Sequence, residues 1–260
     1  MDQIVEQNQE LADRLTAALG QNEFILYGQK IALLQPNESE PGSSRPFQEI
    51  LIRFQEEEAK LLPPGSFFPI LEDCGLLPYL DRWVVSRVAR WVHSALAIRP
   101  DWPVPHNSVN LSAATLGDRS FGDFTRRHLQ AAELPSRTIS FEITCDSILD
   151  NTKPLRNLMA QLRPHGCCFI LARFDGGKES FELVRRLSPE FVKLSPALVR
   201  VLSQGGAGIA QIDAINRECH RLGIKTIAEH VESEQTIAQL RALNVDFGQG
   251  FAIQGPQPLP

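Results

Sequence analysis

Eight short apolar runs recur along the chain, and this repetition constrains the fold more than any other feature of the sequence. Most of the runs have the length and composition of a buried β-strand, and helix-like segments separate most of them. Strands that alternate with helices form parallel sheets, because each helix carries the chain back to the start of the next strand. The strand-like runs are Phe24–Leu34, Phe47–Phe54, Val104–Ser112, Thr138–Thr144, Cys167–Phe174, Phe191–Ser195, Lys225–Val231 and Val245–Ile253.

Helical periodicity is clearest in six of the connecting segments. They are Leu80–Ala97, Ser120–Ala132, Lys153–Leu162, Ser180–Leu187, Ile209–Leu222 and Glu232–Leu243. Eight strands alternating with helices over about 240 residues predict an α/β fold, a (β/α)8 TIM-like barrel. Because no helix-like run separates the first two strand-like runs, the beginning of this barrel is expected to be irregular.

The first 20 residues are predicted to be separate from the barrel. Apolar residues recur at helical intervals in Asp2–Leu19, and Gly20 follows where a helix would end. Residues 1–20 are therefore interpreted as an N-terminal linker or flanking helix, which either leads from an upstream domain or packs on the barrel. Residues 21–260 are assigned to the barrel domain.

Composition and charge exclude several classes of protein. The net charge of −5 lacks the basic footprint that DNA or RNA binding requires, although a small anionic ligand is compatible with it. No apolar stretch is long enough for membrane insertion, and the N-terminus is unlike a secretory signal. Five cysteines without paired spacing predict reduced thiols in a cytoplasmic protein. The histidines His165, His220 and His230 share no metal-binding spacing and are expected to be surface or capping residues.

Polar residues interrupt the apolar runs near the strand ends where the active sites of such barrels lie. A buried charge without a partner is unfavourable, so these residues are expected to converge on one polar cavity. Alternatively, they form separate salt bridges that seal the end of the barrel. The residues are Glu49, Asn110, Glu142, Lys193, Glu229, Glu232 and Gln249.

Short motifs from about Phe24 to Pro260 resemble those of the EAL domain, a (β/α)-barrel phosphodiesterase domain specific for cyclic-di-GMP. The run EILIR (Glu49–Arg53) resembles the motif EALLR, and AEHVE (Ala228–Glu232) resembles AEGVE. VNLS, FEIT and FVKL resemble the motifs of the third, fourth and sixth strands, and GQGFAIQGP (Gly248–Pro256) resembles the closing QGY motif with its proline. The resemblance implies a TIM-like barrel of the EAL type.

The resemblance also implies a change at the metal site. In EAL enzymes, divalent ions are held by the EAL glutamate, an asparagine, the fourth-strand glutamate and two adjacent aspartates that end the fifth strand. Glu49, Asn110 and Glu142 match the first three of these ligands. Ala172 and Arg173 stand where the two aspartates are expected.

These replacements disfavour a divalent cation, because two carboxylates are lost and Arg173 adds a fixed positive charge. Cys145 and Ser195 replace further acidic residues of the family's motifs. Two-metal hydrolysis needs anionic oxygens to hold the ions and to activate water. We therefore expect a domain that is not an enzyme and needs no metal or other cofactor. In it Glu49 and Glu229, which resembles the general base, are vestigial.

The residues that would bind the nucleotide are better retained. Glutamines can read the edges of guanine, apolar residues can contact a base, and Arg53 can bind a phosphate or a neighbouring carboxylate. Arg53 could equally pair with Asp81 on the rim, and Arg173 could neutralise Glu49 and Glu142 or face a phosphate. The set predicted to bind cyclic-di-GMP is Gln29, Leu51, Arg53, Asp81, Asn110, Glu142, Lys193, Glu232, Gln249, Phe251 and Pro256.

Three further segments resemble the degenerate EAL domains of FimX-type receptors, which regulate type IV pili. They are LDRWVV (Leu80–Val85), LSPEFVK (Leu187–Lys193) and IQGP (Ile253–Pro256). This resemblance implies a non-catalytic cyclic-di-GMP receptor that signals through protein–protein contacts, with an adaptor such as a PilZ-type protein as partner. The alternatives are an interaction module that has lost the ligand, and a phosphodiesterase with weak residual activity.

Overall fold

The apolar runs of the sequence form the strands of one sheet that closes on itself. The structure is a computed structural model and describes residues 12–20, 23–35, 45–57, 60–62, 64–203 and 207–259. Its strands are β1 (Phe24–Lys30), β2 (Ala32–Leu33), β3 (Phe47–Glu57), β4 (Lys60–Leu62), β5 (His106–Asn110), β6 (Ile139–Thr144), β7 (Cys168–Phe174), β8 (Phe191–Leu194), β9 (Lys225–Ala228), β10 (Phe247–Gly248) and β11 (Gln257–Pro258).

The order of the strands shows how the barrel closes. From β3 through β5, β6, β7, β8 and β9 to β10, neighbouring strands pair in parallel. β1 pairs antiparallel with β3, and β2 pairs antiparallel with β10. Only Ile31 separates β1 from β2, so one segment joins both ends of the parallel series. The predicted TIM-like barrel is confirmed, with an antiparallel first segment as its irregular beginning.

Helices surround the barrel. Those with bounds inside the described residues are Pro64–Asp73, Leu77–Ile98, Ala113–Leu116, Phe121–Ala131, Lys153–Leu162, Lys178–Leu187, Pro196–Ser203, Ala207–Arg221 and Glu234–Ala242. The longest, Leu77–Ile98, buries one apolar face that includes Val84, Val88 and Val92, a spacing of one helical turn. The sequence predicted six of these helices to within three residues at each end and missed Pro64–Asp73, Ala113–Leu116 and Pro196–Ser203.

Inside the barrel, an apolar layer lies beneath a polar one. The apolar layer consists of Ile31, Phe47, Cys168, Ile170, Phe191 and Ile227. Successive side chains of a strand point to opposite faces, so a position two residues further along returns to the interior. Two residues beyond Phe47, Ile170, Phe191 and Ile227 come Glu49, Ala172, Lys193 and Glu229. The apolar layer thus closes the barrel below the polar side chains at the C-terminal ends of the strands.

The first described segment packs on this barrel. Residues 12–20 are helical, and Ala12, Leu15 and Ala18 are buried. Leu15 and Ala18 belong to the same apolar core as the strands. Packing on the barrel, one of the two interpretations of this segment, therefore holds for these residues, and the helix runs through Gly20 instead of ending before it. The predicted division of the chain at residue 20 stays a prediction.

All five cysteines are free thiols, and four of them are buried. In the part of the chain that the structure describes, no helix is both long enough and apolar enough to cross a membrane.

Candidate functional site

The polar side chains at the strand ends meet around the carboxylate of Glu49 on β3. Asn110 on β5 donates a hydrogen bond from Nδ2 to Glu49 Oε1 at 2.7 Å. Lys193 on β8 and Gln249, which follows β10, donate to Glu49 Oε2 at 2.8 and 2.7 Å. The expected convergence on one polar site is therefore observed, because parallel strands end at the same rim.

Lys193 joins Glu49 to a second carboxylate, that of Glu142 on β6. Lys193 Nζ lies 2.7 Å from Glu142 Oε2, which also accepts a hydrogen bond from Ser108 Oγ at 2.9 Å. The Lys193 side chain is only 1% exposed. A buried ammonium group is stable only with such partners, so the three charged groups form one structural unit.

Burial and charge act in opposite directions on the pKa values of this unit. Burial alone would raise the pKa of Glu49, but the charge of Lys193 and the hydrogen bonds to Glu49 outweigh it and lower the pKa. Burial raises the pKa of Glu142 to about 7, although Lys193 opposes this. The pKa of Lys193 is raised, because the two carboxylates outweigh the effect of its burial. Lys193 and Glu49 are therefore a charged pair at neutral pH.

Neither fifth-strand replacement adds a charge to this unit. Ala172 is 3% exposed and lies on the interior face of β7, where its methyl group has no ligand atom to offer. Arg173 has a φ of 56° and is exposed, and it lines a separate cavity with residues of the loop after β7. Neutralisation of Glu49 and Glu142, one of the roles considered for Arg173, is performed by Lys193.

A divalent cation fits this donor set poorly. Mg²⁺ and similar cations need several oxygen ligands, and a two-metal site needs carboxylates that bridge or flank the ions. Here Lys193 binds Glu49 and Glu142, and Asn110 turns its amide nitrogen toward Glu49. Within the described ranges, no group of three or more histidine, cysteine, aspartate or glutamate side chains is arranged to hold a metal ion.

Two other replaced acidic positions also lack a negative charge. Cys145 starts the short 3-10 helix Cys145–Ile148, and burial raises the pKa of its thiol to about 12. It is therefore a neutral thiol at physiological pH. Ser195 directly follows β8, and its backbone N–H donates to the carbonyl of Phe174 at 2.9 Å.

Above the charged unit, a cavity of about 280 Å³ opens at the mouth of the barrel. We call it the mouth cavity. Phe251 is 75% exposed on its rim, so one ring face is open to a planar ligand. Glycine at position 250 allows the backbone to pack closely against Val231, since a Cβ here would lie 2.2 Å from the Val231 carbonyl oxygen. The lining residues are Gln29, Glu49, Leu51, Glu229, His230, Glu232, Gln249, Gly250 and Phe251.

Gln249 has one unused hydrogen-bonding atom in this cavity. Its Nε2 donates to Gln29 Oε1 at 3.0 Å as well as to Glu49. Its Oε1 is buried and has no hydrogen-bond partner among the residues that the structure describes. Because a buried acceptor without a partner is unfavourable, Gln249 is poised to accept a hydrogen bond from a ligand.

Glu229 and His230 form the wall of the mouth cavity next to Gln249. Burial raises the pKa of Glu229, while the charge of Lys193 has the opposite effect. His230 Nδ1 lies 3.9 Å from Glu229 Oε2. The expectation that His230 is a surface residue agrees with its 58% exposed side chain, and the structure adds that it lines the mouth cavity.

A second cavity of about 350 Å³ lies beside the barrel, between β3, β5 and the helix Leu77–Ile98. We call it the side cavity. Its lining is mainly apolar, and Leu51 lines both cavities. Asp81 is its buried acid, and Asp81 Oδ2 accepts hydrogen bonds from Ser112 N, Ser112 Oγ and Thr115 Oγ1 at 2.9, 2.7 and 2.6 Å. Burial raises the pKa of Asp81, although these hydrogen bonds oppose it.

Arg53 does not pair with Asp81, which corrects one of its two predicted roles. Arg53 donates from a terminal nitrogen to the carbonyl of Ile52 at 2.9 Å. Its guanidinium carbon lies 5.4 Å from the centre of the Tyr27 ring, within the range of a cation–π contact.

The sequence interpretation did not single out Tyr27, which contacts Arg53 and lies two residues before Gln29 on β1. In the β1–β3 pairing, Gln29 lies opposite Glu49, Tyr27 opposite Leu51 and Ile25 opposite Arg53. Residues two apart on a strand share a face, so Tyr27 shares the ligand-facing side with Gln29. The alternation along β1 could have identified it.

The remaining predicted residues fall into two groups. Asn110 and Glu232 are exposed at the rim, and Pro256 directly precedes β11, which pairs with β1 at Gly28 and Tyr27. Glu142 and Lys193 are buried under the mouth cavity and do not line it. Their predicted role as ligand contacts stays a prediction, and in the structure Lys193 bridges Glu49 and Glu142.

Comparisons with known proteins agree with this geometry. The family model described as EAL domain matches residues 12–256. The chain is 31% identical over 248 residues to the cyclic di-GMP phosphodiesterase PdeB of Shewanella oneidensis, which covers 95% of this chain and 28% of that protein. It is 30% identical over 256 residues to the cyclic di-GMP phosphodiesterase NbdA of Pseudomonas aeruginosa, covering 97% of this chain and 31% of that protein. The chain spans about a third of the length of the curated relatives it matches.

Among solved structures, the FimX EAL domain of Xanthomonas citri in complex with c-diGMP is similar to this chain with a TM-score of 0.89. The two chains are 23% identical, and the match covers 100% of this chain and 98% of that one. This likeness establishes a shared fold.

Proposed function

Since this chain belongs to the EAL domain family, we propose that it is a receptor that binds intact cyclic di-GMP without a metal ion and does not hydrolyse it. The observation that carries the proposal is the interior face of β7, where Ala172 stands in the place of a metal-binding aspartate and supplies no oxygen. The ammonium group of Lys193, a lysine that the family's sixth-strand motif also contains, lies between the carboxylates of Glu49 and Glu142, at 2.8 and 2.7 Å. Two-metal hydrolysis would need those oxygens as metal ligands.

The fifth strand supports the same conclusion. Ala172 provides no oxygen on the interior face, and Arg173 carries a positive charge and lines another cavity. Without metal-bound water, Glu229 has no activated nucleophile to deprotonate. The carboxylates retained from the family therefore serve the packing of the charged unit in this proposal.

The two cavities suit the two halves of a cyclic dinucleotide. Guanine presents N–H donors on one edge, and the carboxylate of Asp81 in the side cavity can accept from them. Phe251 can stack on the second base at the mouth cavity, where Gln249 Oε1 offers a free acceptor. Leu51 lines both cavities and would lie beneath the centre of the ligand.

Calorimetric titration with cyclic di-GMP in a buffer containing EDTA tests this proposal. We expect saturable binding with unchanged affinity when Mg²⁺ or Mn²⁺ replaces EDTA, and recovery of intact ligand after long incubation with either metal. Absence of binding, or binding that requires the metal, would contradict it. Asp81→Asn is the informative variant, because it replaces one acceptor oxygen by a donor and should weaken binding by roughly tenfold or more.

A weak residual phosphodiesterase is the second candidate, because relatives at 30 and 31% identity carry that activity in their names. Glu49, Asn110, Glu142 and Glu229 are also retained. Chromatographic detection of the linear dinucleotide pGpG, formed in proportion to protein and metal concentration, would favour this candidate. The third candidate is an interaction module that has lost the ligand. An Arg173 side chain in the mouth cavity would support it, but Arg173 lines a different cavity.

We also propose that the ligand-bound domain signals by contacting an adaptor, with a PilZ-type protein in type IV pilus control as the specific expectation. This part rests on the resemblance to FimX-type receptors. Co-purification of this chain with a PilZ-type protein only in the presence of cyclic di-GMP would support it, and ligand-independent or absent binding would count against it.

A further inference from the structure

His230 occupies a backbone conformation that rarely suits a residue with a side chain. Its φ is 55°, in the left-handed region where glycine is favoured. The surrounding chain fixes this conformation: Val231 N donates to the Gln249 carbonyl at 3.0 Å, and Gly250 packs against the Val231 backbone. The similar family motif AEGVE has a glycine here. A non-glycine residue held in this conformation beside a cavity suggests a functional role for its side chain.

His230 lines a cavity that carries several carboxylates. The mouth cavity contains the carboxylates of Glu49, Glu229 and Glu232. Among the described residues that line it, His230 is the only one with a basic side chain. The His230 side chain is 58% exposed, so its ring is accessible to a ligand from solvent.

The other cations near the mouth do not line the mouth cavity. Lys193 is buried between two carboxylates, and Arg173 lines the cavity beyond β7. Arg53 lies over Tyr27 and does not line the mouth cavity. A phosphodiester carries a full negative charge, and its approach to three carboxylates is unfavourable unless a donor or a cation compensates.

We propose that His230 donates a hydrogen bond from its imidazole ring to a phosphodiester oxygen of the bound cyclic dinucleotide. It thereby supplies at the mouth cavity the compensation that a divalent cation would otherwise provide. This inference rests on the proposed function, because it concerns how the same ligand is held without metal.

The variant His230→Gly tests the proposal without a folding penalty, because glycine is the residue that this backbone favours. We expect its affinity for cyclic di-GMP in EDTA to fall by roughly ten- to a hundredfold, the usual loss for a hydrogen bond to a charged group, while its melting temperature does not fall. Glu133→Gly is the matched control. Glu133 also has a positive φ, of 51°, but it lies before β6 at the opposite end of the barrel, and its affinity should be unchanged.

The variant His230→Asn and an NMR signal of the imidazole ring distinguish direct contact with the ligand from a change in the backbone around residue 230. His230→Asn keeps a donor and tolerates the left-handed region, so its affinity should lie between those of the wild type and His230→Gly. In NMR spectra, the imidazole Hε1 resonance that His230→Gly removes should shift when the wild type is saturated with cyclic di-GMP.

The outcomes distinguish this inference from the proposed function. Wild-type affinity in His230→Gly, or an unmoved Hε1 resonance, overturns the role of His230 and leaves the receptor proposal in place. Failure of the wild type to bind in EDTA overturns both.

Discussion

Lys193 Nζ lies 2.8 Å from Glu49 Oε2, and these two residues are 144 positions apart in the chain. The contact joins β8 to β3 across the barrel interior, with the Lys193 side chain 1% and the Glu49 side chain 12% exposed. An ion pair that is shielded from water stabilises a fold less than its geometry suggests, but loss of one partner leaves a buried charge. The unit is therefore best tested by removing one member.

Lys193→Met should destabilise the domain by about 3–5 kcal/mol, the range measured when one partner of a buried ion pair is removed. The reason is that Glu49 and Glu142 would then face each other without a cation. Urea denaturation at pH 7 provides the measurement. Lys178→Met is the control: Lys178 is exposed on the surface, and its replacement should change the stability by less than about 0.5 kcal/mol. Equal effects of the two variants would show that the Lys193 unit does not stabilise the fold.

The double variant Ala172→Asp with Arg173→Asp should gain affinity for Mn²⁺ but little or no phosphodiesterase activity. Two aspartates would join Glu49, Asn110 and Glu142 as oxygen donors, which favours a hard cation. Calorimetry with Mn²⁺ beside a hydrolysis assay with cyclic di-GMP would measure both properties.

Catalysis is not expected to return, because the metals would still be misplaced. Lys193 competes for the two glutamates, and Cys145 and Ser195 supply no carboxylate. A displacement of about 1 Å can lower a rate roughly a hundredfold. Near-normal turnover by the double variant would show that the fifth strand alone determines the loss of activity.

The barrel and the convergence of its polar residues could be predicted because both follow from short-range patterns. Alternating strands and helices determine the parallel sheet, and parallel strands place Glu49, Asn110 and Lys193 at one rim. The antiparallel pairing of β2 with β10 could not be predicted from the sequence, since a two-residue strand has no recognisable periodicity.

The partners within the site could not be derived from composition or spacing. Whether Arg173 or Lys193 neutralises Glu49 depends on which side chain is buried beside it, and Arg173 is exposed and lines the cavity beyond β7. The partner of Asp81 depends on Ser112, which starts a helix that the sequence did not reveal. Such contacts join segments far apart in the chain, and their geometry is set by packing.

Arg53→Ala should weaken cyclic di-GMP binding by roughly tenfold or more with little change in stability, because Arg53 is held over Tyr27 on the ligand-facing side and makes no buried ion pair with another described residue. Tyr27→Leu should weaken binding two- to fivefold, about 0.5–1 kcal/mol, through the lost cation–π contact. Calorimetric titration of both variants and of the double variant gives the coupling between them.

The two effects should not add, since Tyr27 is expected to act by orienting Arg53. Arg87→Ala is the matched control, because Arg87 also lies over an aromatic ring, at 5.6 Å from the centre of Trp83. Additive losses in the Arg53–Tyr27 double variant would mean that Tyr27 contacts the ligand independently.

His106, at the closed end of the barrel, should make the stability depend on pH. Its ring stacks on Phe47 at 4.4 Å between centres and is hydrogen bonded to Ser140. Burial, followed by the charges of Arg45 and Arg137, lowers its pKa to about 3. In the unfolded chain the pKa is about 6.5. As the pH falls from about 6.5 towards 3, the unfolded state therefore binds a proton that the folded state does not, and stability is lost.

His106→Gln removes this titration and keeps a hydrogen-bonding group near Ser140. The pH dependence of the wild-type stability does not isolate His106. The pKa of Glu142 is raised to about 7, so protonation of Glu142 stabilises the folded state as the pH falls through the same range. The difference between wild type and variant isolates His106. The stability advantage of the wild type over His106→Gln should be about 2 kcal/mol smaller at pH 5 than at pH 7. Urea denaturation at both pH values measures it, and an equal difference at the two would mean that His106 is not held neutral by its surroundings.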